Sequence, residues 1–190
     1  HLSIRRQRQM CIRDRYRKPN QLVVNTTPAF ARHWLLPRLG DFHRDHPEVD
    51  LWLFTTYEAP DMASQTVDLS LRDDLEPQAE CSHEVLLQDR LYPACHPDLL
   101  EQPAPARTTL HGEREMDWSR WSVLGGEDVG QRTHGLNFSD PGLLLDAACE
   151  GHGIALVSQL LASRCVEKGL LQPLSCLLYT SPSPRDRQKS

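Results

Sequence analysis

Apolar positions along this chain recur in two rhythms, short continuous runs and helical spacings, and they alternate in order. QLVVN, from Gln21 to Asn25, is a brief apolar run bounded by polar residues and predicts a buried strand. Thr27 followed by Pro28 predicts a helix start, with a hydroxyl cap and then a residue whose absent N–H costs nothing in the first turn. Phe30, Trp34, Leu35, Leu39 and Phe42 then recur at helical spacing as a core-facing stripe, with a kink or two abutting pieces at Pro37. Val49–Thr56 predicts the next strand, Asp61–Gln65 a short helix, and Val67–Arg72 a third strand. Strand–helix–strand–helix–strand is the order of a parallel sheet with helices on its faces.

The same logic recurs further on. Glu84–Cys95 predicts a long extended ribbon, and His96–Leu100 with the Pro-rich residues after it a connection. Beyond these come an extended RTTLHG (107–112), a helical DWSRWSVLG (117–125) and an extended THGLNFS (133–139). Asp140–Pro141 starts a helix with Leu144, Leu145 and Ala148 on one face. Gly151 and Gly153 break it into a strand, GIALV, and Gly169 ends the helix that follows. Two small α/β lobes are the expectation.

The two ends do not share this patterning. QRQMCIRDR (Gln7–Arg15) and CLLYTSPSPRD (Cys176–Asp186) can be back-translated as opposite strands of one short DNA element. That element resembles a transposon end used in sequencing libraries, so roughly residues 5–15 and 176–186 are set aside from fold reasoning as translated adapter. The charge picture then changes. The whole chain carries a net charge of −5, but residues 19–175 hold 11 basic and 24 acidic residues, a net of −13. Such a body repels phosphate backbones unless a separate basic element makes the contact.

Chemistry-bearing motifs are sparse. Of six cysteines, Cys81, Cys95, Cys149 and Cys165 lie within the patterned body, without a CxxC or a tight cluster with histidine, and read as small apolar residues of a reducing compartment. His43 and His46 sit three apart on a polar helix side, His96 precedes a proline, and His152 stands between two glycines. No HExxH, GxSxG or P-loop occurs. Asp73–Asp74 and Glu113–Glu115 read as solvated charge, and Trp118 with Trp121 as a packed helix face. No catalytic residue, metal or cofactor is expected. No apolar run reaches the roughly 18 residues that span a bilayer, so no membrane partner is expected and the default location is the cytoplasm.

Residues 21–174 resemble, in order, the effector-binding domain of LysR-type transcriptional regulators, in particular the glycine-cleavage-activator subgroup. The pieces that carry the resemblance are FARHWLLPRLGDFHRDHPEVDL, VDLSLRDD, LLQDRLYPACHPDLL, FSDPGLLLDAACEGHGIAL and LLASRCVEKGLLQPL. The resemblance implies a two-lobed, type II periplasmic-binding-protein-like α/β effector domain, truncated here and without the winged helix-turn-helix. Lobe I would span 19–95 and lobe II 96–170, with 171–175 starting a return to lobe I. Residues 1–18 and 176–190 would stand outside both. A full-length member would bind DNA only through its N-terminal domain, dimerise or tetramerise, and continue past Leu174 with a strand and a final helix. The connection at Glu101–Leu110 is shorter than the family's usual one.

The resemblance also implies a small-molecule effector, held in the cleft between the two lobes, where strands end and helices begin. Thr26 and Thr27 at one helix start, and Ser139 and Asp140 at another, offer hydroxyls and first-turn N–H groups suited to an anionic group. By family correspondence, Arg72 and His111 would line the same site. Thr27 and Asp140 can equally be plain helix caps. A periplasmic-type solute-binding protein, which shares the two-lobed architecture, is the alternative.

Overall fold

The computed structural model describes residues 20–58, 60, 66–72, 82–101, 108–112, 118–123, 135–174 and 179–180. The expected helix at 61–65, the acidic pairs at 73–74 and 113–115, Cys81 and most of both ends lie outside these residues. The chain divides between Glu84 and Val85, with Arg32–Trp34 joining the second unit.

The first unit is built on a parallel sheet ordered β2-β1-β3. Here β1 is Gln21–Thr26, β2 is Asp50–Thr55 and β3 is Leu69–Leu71. β1 pairs along its whole length with β2, Gln21 opposite Asp50 through Thr26 opposite Thr55, and its second half pairs with β3. As the central strand it carries the burial: Val23, Val24, Asn25 and Thr26 are all buried. Asn25 is satisfied from both sides, its amide donating to the Phe54 carbonyl at 3.4 Å and its carbonyl accepting from Ser70 Oγ at 3.2 Å.

Helical turns run from Pro28 to Asp45, and Pro37 breaks their regularity. α1 (Pro28–Phe30) passes into a π turn over Ala31–Leu35, a 3₁₀ turn over Leu36–Arg38, and α2 (Leu39–Asp45). The Leu36 N–H donates to the Ala31 carbonyl and the Leu39 N–H to that of Leu36, a wide turn followed by a tight one around a residue with no N–H to give. Each change of pitch rotates the helical phase, so the expected apolar stripe does not stay on one face. Ala29 and Ala31 are the buried residues, whereas Phe30, Trp34, Leu35, Leu39 and Phe42 are only partly covered and α2 buries none.

The second unit is organised by β4 (Arg90–Cys95), which pairs antiparallel with β7 (Ala155–Ser158) on one side. On its other side lie β8 (Gln172–Pro173) and β9 (Tyr179–Thr180), also antiparallel. Part of the segment set aside above thus takes part in this sheet. β4 was expected to end the first lobe, but its partners place it in the second. Of the expected ribbon, only 90–95 is strand; Val85, Leu86 and Leu87 are exposed. A 3₁₀ turn (Pro97–Glu101) follows β4. β5 (His111–Gly112) and β6 (Asn137–Phe138) form a small parallel pair.

Among the described residues, three helices cover this unit: α3 (Trp118–Val123), α4 (Pro141–Cys149) and α5 (Gln159–Glu167). One core cluster joins Tyr92 and Ala94 of β4, Leu144, Leu145 and Ala148 of α4, Val157 of β7 and Ala162 of α5. A second gathers Cys95, Leu99, Ile154 and Leu156 around Trp118 and Trp121, with the Trp118 indole N–H donating to the Leu110 carbonyl at 2.9 Å. The two tryptophans are a packed helix face, as their spacing suggested.

α4 and α5 end in the same way. After α4, Gly151 adopts φ 77°, its N–H donates to Ala148 and that of His152 to Ala147. After α5, Gly169 adopts φ 72°, its N–H donates to Val166 and that of Leu170 to Cys165. These are paired 5→2 and 6→1 bonds closing a helix through a left-handed residue. A Cβ at Gly169 would meet nothing within 4 Å, so strain alone opposes a side chain there. We expect Gly169→Ala to lower stability by about 1–2 kcal/mol in urea unfolding, and Gly169→Asn by less.

His33 belongs by its contacts to the second unit. Its Nε2 is buried and makes no hydrogen bond, with Asp146 Oδ1 3.7 Å away; Arg32 pairs with the other Asp146 oxygen at 3.1 Å. Burial depresses the imidazole pKa below 6.5, and Arg32 pushes the same way, outweighing the opposing pull of Asp146 and Asp140. The folded state therefore binds fewer protons than the unfolded chain once pH falls through 6.5. Stability contributed by neutral His33 is intact above that value and is lost as pH descends toward the depressed pKa. Melts at pH 7.5 and 5.5 should show a smaller acid-side loss for His33→Gln than for the parent chain; equal losses would remove His33 from the account.

Candidate functional site

Parallel strands all point one way, so their carboxyl ends gather chain turns and helix starts along one edge, the usual place for ligand-binding groups in α/β folds. In the first unit this edge carries Thr26, Thr27, Thr56 and Arg72. Thr26 is fully buried, and its hydroxyl donates to the Leu71 carbonyl at 2.7 Å, tying the end of β1 to the end of β3. Its own carbonyl accepts from the Thr56 N–H at 3.0 Å.

Thr27 leaves the strand in extended conformation (φ −73°, ψ 148°), and its carbonyl accepts from Ala31 at 3.0 Å. The expected hydroxyl cap is not made, since the Thr27 side chain accepts no capping bond. Pro28 is the reason one is less needed, because the first helical position has no N–H to satisfy. Arg72 is held in place by carbonyls. Its guanidinium donates to Thr56 and Glu58 at 3.0 Å each and to Tyr57 at 2.6 Å, folding the turn after β2 back over the end of β3.

In the second unit, β5 and β6 run in parallel, with His111 opposite Asn137 and Gly112 opposite Phe138. This brings the end of β5 beside Ser139 and Asp140. Ser139 is exposed in a bend between β6 and α4. Asp140 is a true N-cap, its Oδ1 accepting from Gly142 at 2.6 Å and Leu143 at 3.0 Å. The first-turn N–H groups expected to be available at this start are thus already taken by Asp140. His111 Nε2 lies 3.2 Å from the hydroxyl of buried Thr109.

Ser158 and Asp89, which sequence reasoning passed over, close the start of α5. Ser158 Oγ accepts from Leu161 and Asp89 Oδ1 from Leu160, both at 3.1 Å. A serine directly before an apolar helical stretch is a readable cap signal. Asp89, 71 residues away in sequence, is not readable in that manner. Among the described residues, no group of three His, Cys, Asp or Glu residues is arranged to hold a metal ion, and no helix is long and apolar enough to cross a membrane.

Comparison with known proteins agrees with this architecture. The chain is 29% identical over 158 residues to the glycine cleavage system transcriptional activator of Escherichia coli K12, covering 79% of this chain and 52% of that protein. It is 31% identical over 169 residues to the HTH-type transcriptional regulator PerR of the same strain, covering 85% and 55%. The chain spans about half the length of the curated relatives it matches. The effector domain of the transcriptional regulator AmpR of Pseudomonas aeruginosa superposes with a TM-score of 0.67 at 26% identity, over 85% of this chain and 81% of that one. The AmpR effector binding domain from Citrobacter freundii shares the fold, with a TM-score of 0.68 at 22% identity over 89% and 94% of the two chains. These relatives are transcriptional regulators rather than enzymes. The model of the LysR substrate binding domain matches residues 17–184, and the chain belongs to that family.

Proposed function

We propose that this chain is the ligand-sensing part of a cytoplasmic LysR-type transcriptional regulator, and that a small-molecule effector touches the carboxyl-edge residues of its units. The single observation that carries this reading is the family match over nearly the whole chain. In the whole protein, DNA contact falls to a separate N-terminal domain and assembly to a homodimer or homotetramer. Effector binding then changes the relative populations of regulator conformations.

The local chemistry supports a division of labour among the expected site residues. Thr26, Arg72 and Asp140 are committed to protein partners and act by holding the edges in shape. Exposed Ser139 and Thr27, buried but making no capping bond, are the hydroxyls left for a ligand, with His111 paired opposite Asn137, two positions before Ser139. The two edges also differ in charge. No acidic residue lies in the first turn of α1, whereas the α4 start carries the Asp140 carboxylate. Taken separately, the Thr27 edge suits an anionic group and the Asp140 edge a neutral or cationic donor. Small amino and hydroxy acids carry both kinds of group.

A thermal-shift panel of amino acids and small carboxylic acids against this chain tests the reading. A true effector at about 100-fold over its Kd adds about 2.7 kcal/mol to apparent stability. Thr27→Ala and Ser139→Ala should each weaken that response, Thr27→Ser should retain it, and the double variant should be non-additive if one molecule touches both residues. Full response with unaltered midpoint in both alanine variants would show that these residues are structural only.

Charge supplies a second expectation. Residues 19–175, with a net charge of −13, should show no sequence-specific gel shift, and any low-salt binding by the whole chain should vanish when residues 1–18 are removed. Specific binding by 19–175 alone would contradict the assignment of DNA contact to another domain.

A further inference from the structure

Residues 83–88, His-Glu-Val-Leu-Leu-Gln, stand exposed just ahead of β4. Val85, Leu86 and Leu87 are 76%, 65% and 46% exposed, three consecutive large apolar side chains facing water. The strands beside β4 stop short of them. β7 reaches no further than Ser158 opposite Leu91, and β9 no further than Thr180 opposite Arg90. The Asp89 carboxylate, bonded to the Arg90 and Leu160 N–H groups, marks the point where that support ends. Among the described residues, 83–88 exchange no hydrogen bond with any other segment, so both backbone edges are open. An apolar stretch that continues a strand and lacks partners is a template for strand addition.

We propose that residues 83–88 pair with the same residues of a second copy of this chain, antiparallel and centred on Leu86, in a weak symmetric dimer. This contact is independent of the effector reading. The side chains choose the register. About a two-fold axis at Leu86, Val85 faces Leu87, Glu84 faces Gln88 and His83 faces Asp89, so no like charges are opposed. Moving the centre to between Leu86 and Leu87 sets Glu84 against Asp89. Moving it to between Val85 and Leu86 sets the Glu84 carboxylate against Leu87. Parallel pairing sets Glu84 on Glu84 and Asp89 on Asp89.

The chain's own tail is a poorer occupant of this edge. After Thr180 come Ser181, Pro182, Ser183 and Pro184, which bring no large apolar side chain and lack two N–H donors. A second copy brings three apolar residues and a full set of donors. One short strand pair is smaller than the roughly 1,200 Å² of a stable interface, so the dimer should be reversible, with a Kd above about 1 µM.

Sedimentation equilibrium of the 190-residue chain, loaded from about 1 to 200 µM, should show a monomer–dimer equilibrium. Leu86→Lys should weaken it at least about tenfold and leave the melting temperature unchanged, because the side chain it replaces is exposed. Gln88→Lys, opposite Glu84, should tighten the dimer and Gln88→Glu should loosen it, both less so at high salt. Cysteine linking reads the register. Position 86 shares the tryptic peptide 73–90 with Cys81, so the background is Cys81→Ser. There Leu86→Cys should oxidise to a dimer linked through position 86, since directly opposed Cβ atoms lie about 4.5–5.5 Å apart. Val85→Cys should link to Leu87→Cys when the two chains are mixed, and not to itself. A chain that stays monomeric, a dimer indifferent to Leu86→Lys, or Val85→Cys linking to itself as readily as Leu86→Cys does would overturn the proposal. So would a chain that dimerises only after residues 181–190 are removed, which would give the edge to its own tail. The linking result stands whether or not Leu86→Lys folds.

Discussion

Parallel pairing of β1 with both β2 and β3 is the constraint on which the first unit's carboxyl edge depends. Because the three strands point the same way, each must hand its chain on at the same edge, and no hairpin can return it. Thr26, Thr55 and Leu71 therefore end in register, and the residues just beyond them become neighbours although they lie up to 45 positions apart. The Thr26 hydroxyl on Leu71 and the Arg72 guanidinium on three carbonyls then fix turns that a sheet alone leaves loose. A buried hydroxyl that donates to a carbonyl removes two desolvation penalties together, so such ties stiffen the edge without placing an unsatisfied polar group in the core.

The second unit solves the problem of closure differently. Its main sheet is antiparallel around β4, and β4 brings Tyr92, Ala94 and Cys95 into the two apolar clusters. The small parallel pair β5-β6 is too short to stand alone and is anchored through Leu110, whose N–H donates to Ile154 and whose carbonyl accepts from Trp118. The position of His111 is thus set by core packing one residue earlier, and that of Ser139 by the helix Asp140 starts. Both places are set by neighbouring packed elements rather than by the short pair itself.

Much of this was legible in the sequence, and the reasons are local. Thr27–Pro28, Asp140–Pro141, Gly151 and Gly169 mark helix boundaries because proline, capping oxygens and left-handed glycines act within one turn. What proved illegible depends on partners distant in sequence or on cumulative geometry. The rotation of the helical face around Pro37 follows from two successive changes of pitch, which no single residue signals. The strand at 84–95 was read too long because apolar Val85, Leu86 and Leu87 suit a sheet, yet only 90–95 finds strand partners among the described residues. Cys149 and Cys165, sixteen positions apart and lacking any spacing motif, come to pack against one core cluster only because α4 and α5 both do.

The two helix starts, so alike as sequence, end up with different spare chemistry. At α4 the Asp140 carboxylate already answers Gly142 and Leu143, so an incoming anion would have to displace an ionised cap and meet its charge. At α1 the proline removes one donor and Thr27 gives no capping bond, so no carboxylate there competes with a ligand. Capping and recognition draw on the same few amides, and a residue that serves the first fully is unavailable for the second. Each edge is therefore left with its own spare chemistry, open to an acceptor at Thr27 and to a donor at Asp140, and that difference follows from which cap each helix uses.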